Sequence, residues 1–340
     1  MPGQGAGRRP ENRGGKRMNK LLRSLAASIA LMPLATAAVA DTKILASWDQ
    51  SYAAVGEVLD PFMEYLEAET TAELGLSRFG PETIPPFEQL NPVTQGLFDM
   101  LYTNGGYHYN DIALGMALDS LSGDIGTIHE SGMWDFVDQE YQKAGLKLIA
   151  IFYDTNGFHM ILKEPLTGDG LTGRRIRGTP LYHPVIEALG GSPVVLPGGD
   201  IYPALERGVV DGAAWPAVGA VNYRWFEVSS YFVRPTFGQV GHMLLMNLDA
   251  WNALDEQTRT EIETAARAYE VEASATFDGL AGTEEETLVA EGMQETRFED
   301  DVVANLKSAW YNGVMDLAAT VNPDEIAQMR EIAETAGIGE

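Results

Sequence analysis

The sequence predicts an α/β fold built as two lobes that the chain crosses more than once. Three observations carry that expectation. Strand-like and helix-like stretches alternate through the first two-thirds, charged helical stretches fill the rest, and no low-complexity linker divides the chain. A length of 340 residues with 45% hydrophobic content is also ample for a large core.

Residues 1–40 differ in kind from the remainder of the chain. Lys20 and Arg23 lead into an apolar run over 25–40 that ends in Ala38, Val39 and Ala40. This reads as a secretory signal cleaved after Ala40, because the run is shorter than the roughly 18 to 20 residues of a spanning helix and contains Pro33. Residues 1–17 precede Met18 without an apolar segment and carry no fold argument.

Residues 43–48 read as the first strand. Leu59, Phe62, Met63 and Leu66, spaced by three and four, then make 55–68 an amphipathic helix. A strand near 73–79, a helical stretch near 87–96 and a strand over 98–102 continue a β-α-β-α-β rhythm. Strands over 148–153 and 159–163 come next, and residues 171–216 hold two more βα units. Within these, Asp200 is placed to cap the helix over 201–207 and Gly208 to stop it. The alternation predicts a parallel, doubly wound sheet. Beyond Asn247, Ile262, Ala265, Ala266 and Tyr269 share one helical face, and Val302, Leu306, Trp310, Val314 and Leu317 mark a second helix. Asn322 and Pro323 open a last one, with Asp324 and Glu325 at its positive end.

Composition narrows the function. Removing residues 1–40 takes seven of 23 basic residues and one of 49 acids, which leaves 16 against 48 and a formal charge of −32. Such a charge repels nucleic acid and anionic lipid and suits a medium whose salt screens it. With no cysteine, disulfides, thiolate metal sites and cysteine nucleophiles are excluded. The five histidines, at 108, 129, 159, 183 and 242, include no pair spaced to put two ligands on one helix face. No G-x-S-x-G, phosphate loop or dinucleotide fingerprint is present. The sequence therefore predicts neither an enzyme nor a metal centre.

Arg177 is the residue with chemistry to offer. It follows Ile176 in a strand-like position and precedes Gly178, Thr179 and Pro180, where the backbone should turn. Ligands of open α/β sheets bind beyond such carboxyl ends, and a guanidinium there can grip a carboxylate through two parallel hydrogen bonds. From the pattern alone, a surface arginine paired with one of the many acids reads equally well. Trp48, Tyr52, Tyr102, Asn104, Tyr107, Asn156, Trp215, Tyr223 and Trp225 lie at or near expected strand ends and suit a small apolar pocket with a few polar anchors, and all of them but Tyr52 and Trp225 join Arg177 as expected ligand contacts.

The string GLTGRRIR over 170–177, ALG over 188–190, PGGDIYPALERGVVDG over 197–212 and WP at 215–216 resembles the solute-binding proteins of tripartite ATP-independent periplasmic (TRAP) transporters, of the dicarboxylate and 2-oxo-acid type. PPFE over 85–88, GLFDM over 96–100 and NLDAW over 247–251 support the likeness, which covers the chain beyond the signal. The resemblance implies a two-lobed, type II-like periplasmic binding protein with a cleft between lobes and long C-terminal bracing helices. The lobes are expected to comprise 41–152 with 243–282, and 153–242 with 283–340. It makes Arg177 the clamp on a ligand carboxylate and places Trp215 beside it. Where the 2-oxo-acid subgroup has a metal-ligating glutamate before that tryptophan, this chain has Ala214, so no cofactor is expected; Glu82 and Asp211 are the carboxylates left open for a cation. The implied function is a periplasmic receptor that delivers a small organic carboxylate to ion-gradient-driven TRAP membrane subunits. A periplasmic sensor component and a secreted enzyme on a similar frame are the alternatives, and the oligomeric state is left open.

Overall fold

Eleven strands form two separate sheets in a computed structural model that describes residues 41–168 and 170–339. The expected signal segment, residues 1–40, lies outside the described residues. In chain order the strands are β1 (Lys43–Ala46), β2 (Ser77–Phe79), β3 (Met100–Thr103), β4 (Leu146–Asp154), β5 (Phe158–Leu162) and β6 (Arg175–Arg177). They continue with β7 (Ser192–Val194), β8 (Gly212–Pro216), β9 (Tyr231–Arg234), β10 (Val240–Asn247) and β11 (Gln294–Arg297). One sheet has the order β2-β1-β3-β10-β4 and the other β11-β9-β5-β8-β6-β7.

Both sheets are mixed, which corrects the expectation of a purely parallel one. The βα units do pair in parallel: β1 with β2 and β3, β6 with β7 and β8. However, β10 runs antiparallel to β3 and β4, and β5 antiparallel to β8 and β9. The cause is the traffic between sheets. The chain leaves the first sheet along β4 into β5 and returns along β9 into β10, so the two crossings run in opposite directions. Each sheet therefore gains antiparallel pairs. A bridge between Phe158 and Phe237 joins the crossings where they pass.

The third crossing is the helix Glu256–Ala290. Asp255 caps it by accepting from the Thr258 amide at 2.9 Å. At 35 residues it is roughly 50 Å long, enough to pack on β4 and end beside β11. The predicted face of Ile262, Ala265, Ala266 and Tyr269 is buried, and the stripe continues through Ala273, Phe277 and Leu288.

At the helix ends, sequence and structure agree only in part. The first helix begins as a wide π turn over Ala54–Leu59 and continues as α-helix over Asp60–Glu69. Asp200 precedes the helix Ile201–Glu206 without a side-chain cap, whereas Gly208, at φ +67°, ends that turn as expected. Asn322 does not cap its own helix; its side-chain oxygen accepts from the Ala113 amide at 2.9 Å. The last helix, Pro323–Ala336, packs on the preceding helix Asp300–Ala319 and also on Leu114–Leu118 and Met133–Lys143, which belong to the first stretch of the expected first lobe. The helix Asp300–Ala319 in turn packs on His183–Ala188 of the other, so this C-terminal pair touches both. Among the described residues no helix is long and apolar enough to cross a membrane.

Candidate functional site

The carboxyl ends of β1, β3, β6 and β8 converge between the two sheets. Trp48 follows β1, Asn104 and Tyr107 follow β3, Arg177 ends β6, and Trp215 lies in β8. Together with Phe158, Thr179, Tyr182, Pro216 and Val240 they line a cavity of about 20 Å³. This is the strand-end crevice where α/β sheets take ligands.

Arg177 is fully buried. Its Nε donates to the Leu196 carbonyl at 2.9 Å and its Nη1 to the Ala214 carbonyl at 3.0 Å. Two neutral carbonyls orient the guanidinium without neutralising it, and among the described residues its Nη2 has no partner. Its carbon lies 5.0 Å from the centre of the Trp215 ring. Among the described residues no carboxylate forms an ion pair with it, in a chain where acids outnumber bases two to one. A buried charge without a counter-ion is costly, and an anion beside Nη2 would offset that cost.

The remaining walls are mostly aromatic. Trp215 is wedged between two glycines: a Cβ on Gly198 would fall 2.7 Å from its ring, and one on Gly219, at φ +125°, 2.6 Å from its Nε1. Tyr52, Tyr223 and Trp225 close around the same indole with ring centres 5.3 to 5.7 Å away. Trp48 packs edge-on to Tyr107 at 5.7 Å. Burial pushes the Tyr107 phenol up from its ordinary pKa, and the Arg177 charge opposes that rise. The Tyr107 hydroxyl thus stays protonated as a donor beside the guanidinium.

Asn104 lines the cavity with its hydrogen bonds already committed. Its Oδ1 accepts from the Gly106 amide at 2.9 Å, and its Nδ2 donates to Asp119 Oδ2 at 2.6 Å and to the Gly241 carbonyl at 3.1 Å. It shapes the loop after β3. Behind Trp48, His242 accepts from the Tyr52 hydroxyl at 3.2 Å through Nε2 and donates from Nδ1 to the Phe152 carbonyl at 3.2 Å. Burial lowers its pKa to about 4, so it is neutral at ordinary pH.

Of the eight residues expected from the sequence to contact ligand, five reach the cavity wall: Arg177, Trp215, Trp48, Tyr107 and Asn104. Three do not. Tyr102 is core, its hydroxyl donating to the Ala54 carbonyl at 2.9 Å. Tyr223 backs Trp215 from behind, stacked on Trp225. Asn156 sits at the β4–β5 crossing, where its Nδ2 donates to Asp154 at 2.9 Å and to Asp278 at 3.1 Å. Tyr102 and Asn156 lie at strand ends, but nearness in sequence does not fix which way a side chain points, and Tyr223 lies in the longer connection between β8 and β9. Thr179, two residues past Arg177, is legible as part of the same loop. Phe158, Tyr182 and Val240 are not, because each comes from the crossings or from a helix start.

The open carboxylates are engaged elsewhere. Asp211 accepts from the Arg175 amide at 2.8 Å, and Glu82 from the Gly80 amide at 3.0 Å. Among the described residues no cluster of three His, Cys, Asp or Glu side chains is arranged to hold a metal ion.

Two mixed sheets joined by three crossings, with a lone buried arginine between them, define a two-lobed solute-binding protein. Residues 122–319 match the bacterial extracellular solute-binding protein family 7, known as DctP. That match covers more than half of the chain, which therefore belongs to this family, one of binding receptors rather than enzymes. A monocarboxylate 2-oxoacid-binding periplasmic protein of Nostoc is 31% identical over 150 residues, 42% of this chain and 40% of that protein. A C4-dicarboxylate-binding periplasmic protein of Rhodobacter capsulatus is 30% identical over 166 residues, 47% of this chain and 48% of the other. The chain thus matches at most about half the length of these relatives. A TRAP periplasmic solute-binding protein from Desulfovibrio salexigens, solved with orotic acid, shares the fold at TM-score 0.76 and 19% identity, over 87% of this chain and 97% of that one. An extracytoplasmic solute receptor from Bordetella pertussis that binds pyroglutamic acid does so at TM-score 0.75 and 16% identity, over 86% and 99%.

Proposed function

We propose that the chain is exported by its N-terminal signal, cleaved after Ala40, and works in the periplasm as the receptor of a TRAP transporter. It binds one small organic monocarboxylate and delivers it to ion-gradient-driven membrane subunits. The observation that carries this reading is the fully buried Arg177 guanidinium, fixed by two carbonyls and with no partner for Nη2 among the described residues. A carboxylate would supply the missing charge and accept from Nη2, with the Tyr107 hydroxyl and Thr179 within the same wall. Among the described residues Arg177 is the only charged side chain lining that wall, which favours one carboxylate with an uncharged remainder over a dicarboxylate. The reading calls for no cofactor: Ala214 stands before Trp215, and its carbonyl serves Arg177.

A cavity of 20 Å³ has room for about one water molecule, so entry requires the two sheets to part about their crossings. Ligand then shifts the balance towards the closed form through its greater affinity for it, and closure is what the membrane subunits would read.

The test is a thermal-shift and calorimetry panel on residues 41–340 with pyruvate, lactate, benzoate, pyroglutamate, succinate and malate. A monocarboxylate at about a hundred times its Kd should add about 2.7 kcal/mol of apparent stability. The Arg177→Ala variant should show none of that gain while folding normally; a full ligand-induced shift in Arg177→Ala would remove the arginine from the reading.

A further inference from the structure

Trp215 forms one wall of the cavity, yet among the described residues nothing hydrogen-bonds its indole in place. Its position depends on the turn after β8. Gly219 lies against Nε1 so closely that a single carbon added there would overlap it. That turn is itself held by one side chain from the helix Glu256–Ala290. The Oε1 of Glu284 accepts from the Gly219 amide at 3.1 Å and from the Val221 amide at 2.8 Å, bridging the turn from below. Glu284 is 6% exposed, an unusual place for a carboxylate unless its acceptor capacity is used. About four turns earlier the same helix grips the other sheet with a second buried glutamate. There Glu270 accepts from the Ile151 amide at 2.8 Å and from His129 at 2.7 Å.

We propose that Glu284 is a positioning residue for the carboxylate site: it pins the 219–221 turn under Trp215 and so ties the helix that spans both sheets to the cleft wall beside Arg177. The proposal rests on the carboxylate-receptor reading for its ligand arm, and its structural arm is independent of that reading.

Its chemistry makes the device sensitive to pH. Burial pushes the Glu284 carboxyl up to about 7, against the pull of the three amides of the turn and of Arg234. The groups facing it are Arg234 of β9, already bridged to Glu285 at 2.7 Å and touching His159 at 3.0 Å, and the backbone of residues 219–221. His159 is held well below its ordinary value by burial and the Arg234 charge, so it is neutral throughout the range concerned. Asp154, raised by burial to about 6, has a similar value; it sits at the β4–β5 crossing beside Asn156 and Asp278. Above pH 7 the ionised Glu284 grips both amides strongly. As pH falls through that value it takes a proton, the charge-assisted bonds weaken, and Trp215 loses its seat.

Two measurements test this. In the first, intrinsic tryptophan fluorescence of the unliganded protein is titrated from about pH 5.5 to about 8.5, a span that brackets the Glu284 value. The wild type should show a transition near pH 7 that is absent in Glu284→Gln and in Trp215→Phe and kept in Asp154→Asn. The same transition surviving in Glu284→Gln overturns the proposal. In the second, the affinity for pyruvate, lactate and benzoate is measured over the same range. Wild-type affinity should fall towards acid pH, and Glu284→Gln should be flat. Glu284→Leu, which removes the acceptor, should bind about ten-fold more weakly at about pH 8. Wild-type affinity in Glu284→Leu overturns the proposal as well. If none of the three acids binds the wild type at that pH, the receptor reading fails, and the fluorescence titration still decides the role of Glu284.

Discussion

Two buried cations, one in each sheet, differ in what the chain sets against their charge. Lys147 in β4 brings its own counter-ions: Asp138 at 2.7 Å and Glu263 at 3.5 Å, with the rings of Trp134 and Trp251 about it. Asp138 is itself fully engaged, accepting also from the Leu148 amide at 2.9 Å and from Gln142 at 2.8 Å. Arg177 in β6 is more deeply buried and has only carbonyls and a tryptophan. The chain completes the first charge by itself and, among the described residues, gives the second no counter-charge, which under the proposed function a ligand supplies. A folded protein tolerates an unpaired charge where function requires it and offsets the cost elsewhere.

The largest effect expected is on binding. Arg177→Lys keeps the charge but loses the planar fork and both carbonyl anchors, and calorimetry should show carboxylate affinity reduced at least about 100-fold. Affinity within a few-fold of the wild type would show that a point charge suffices. Next in size is Asp138→Asn, which should lower unfolding stability by about 2 kcal/mol in urea, since Lys147 then keeps only the more distant Glu263, and should leave carboxylate affinity unchanged. A loss of binding there would erase the contrast. Third, Arg177→Met should abolish binding yet leave the unliganded protein as stable as the wild type or about 1 kcal/mol more so, because an unpaired buried charge has been removed. A large destabilisation would mean that Arg177 is structural after all.

The smallest effect concerns pH. Burial raises Asp154 to about 6, so between roughly pH 4, its unfolded value, and pH 6 the folded chain binds more protons than the unfolded one. Stability from this group is therefore full below about pH 4 and declines as pH rises through 6. Asp154→Asn, in which nothing ionises, should gain on the wild type by a few degrees of Tm between about pH 4 and 6 and hold level above. A constant difference across that range would show that Asp154 does not titrate there.

The legible part of this site is the part carried by local sequence. Arg177 at a strand end, followed at once by Gly178 and Thr179, can be read because its role depends on where a strand stops. Trp48, Tyr107 and Asn104 come with it for the same reason. Tyr102 and Asn156 meet the same criterion and point elsewhere, Tyr102 into the core and Asn156 to the long helix. Strand-end position says that a residue is near the crevice, while the pleat and the crossings decide its direction. Phe158 and Val240 give no such signal because they belong to the crossings, whose place beside the cleft exists only once both sheets are assembled.

The same division runs through the whole molecule. The sequence by itself determined the alternation of strands and helices, the buried face of the long helix and the position of Arg177, because periodicity, capping and turn chemistry act over a few residues. The tertiary structure alone decided that β5 and β10 run antiparallel, that Asn322 serves Ala113 rather than its own helix, and that Glu284 reaches the turn beneath Trp215. Those outcomes join residues tens to hundreds of positions apart, and only the packing of the finished sheets sets which of them meet. That Arg177 is buried without a counter-charge is likewise a fact of packing, for a sequence with 49 acids offers partners everywhere, and among the described residues the fold withholds all of them.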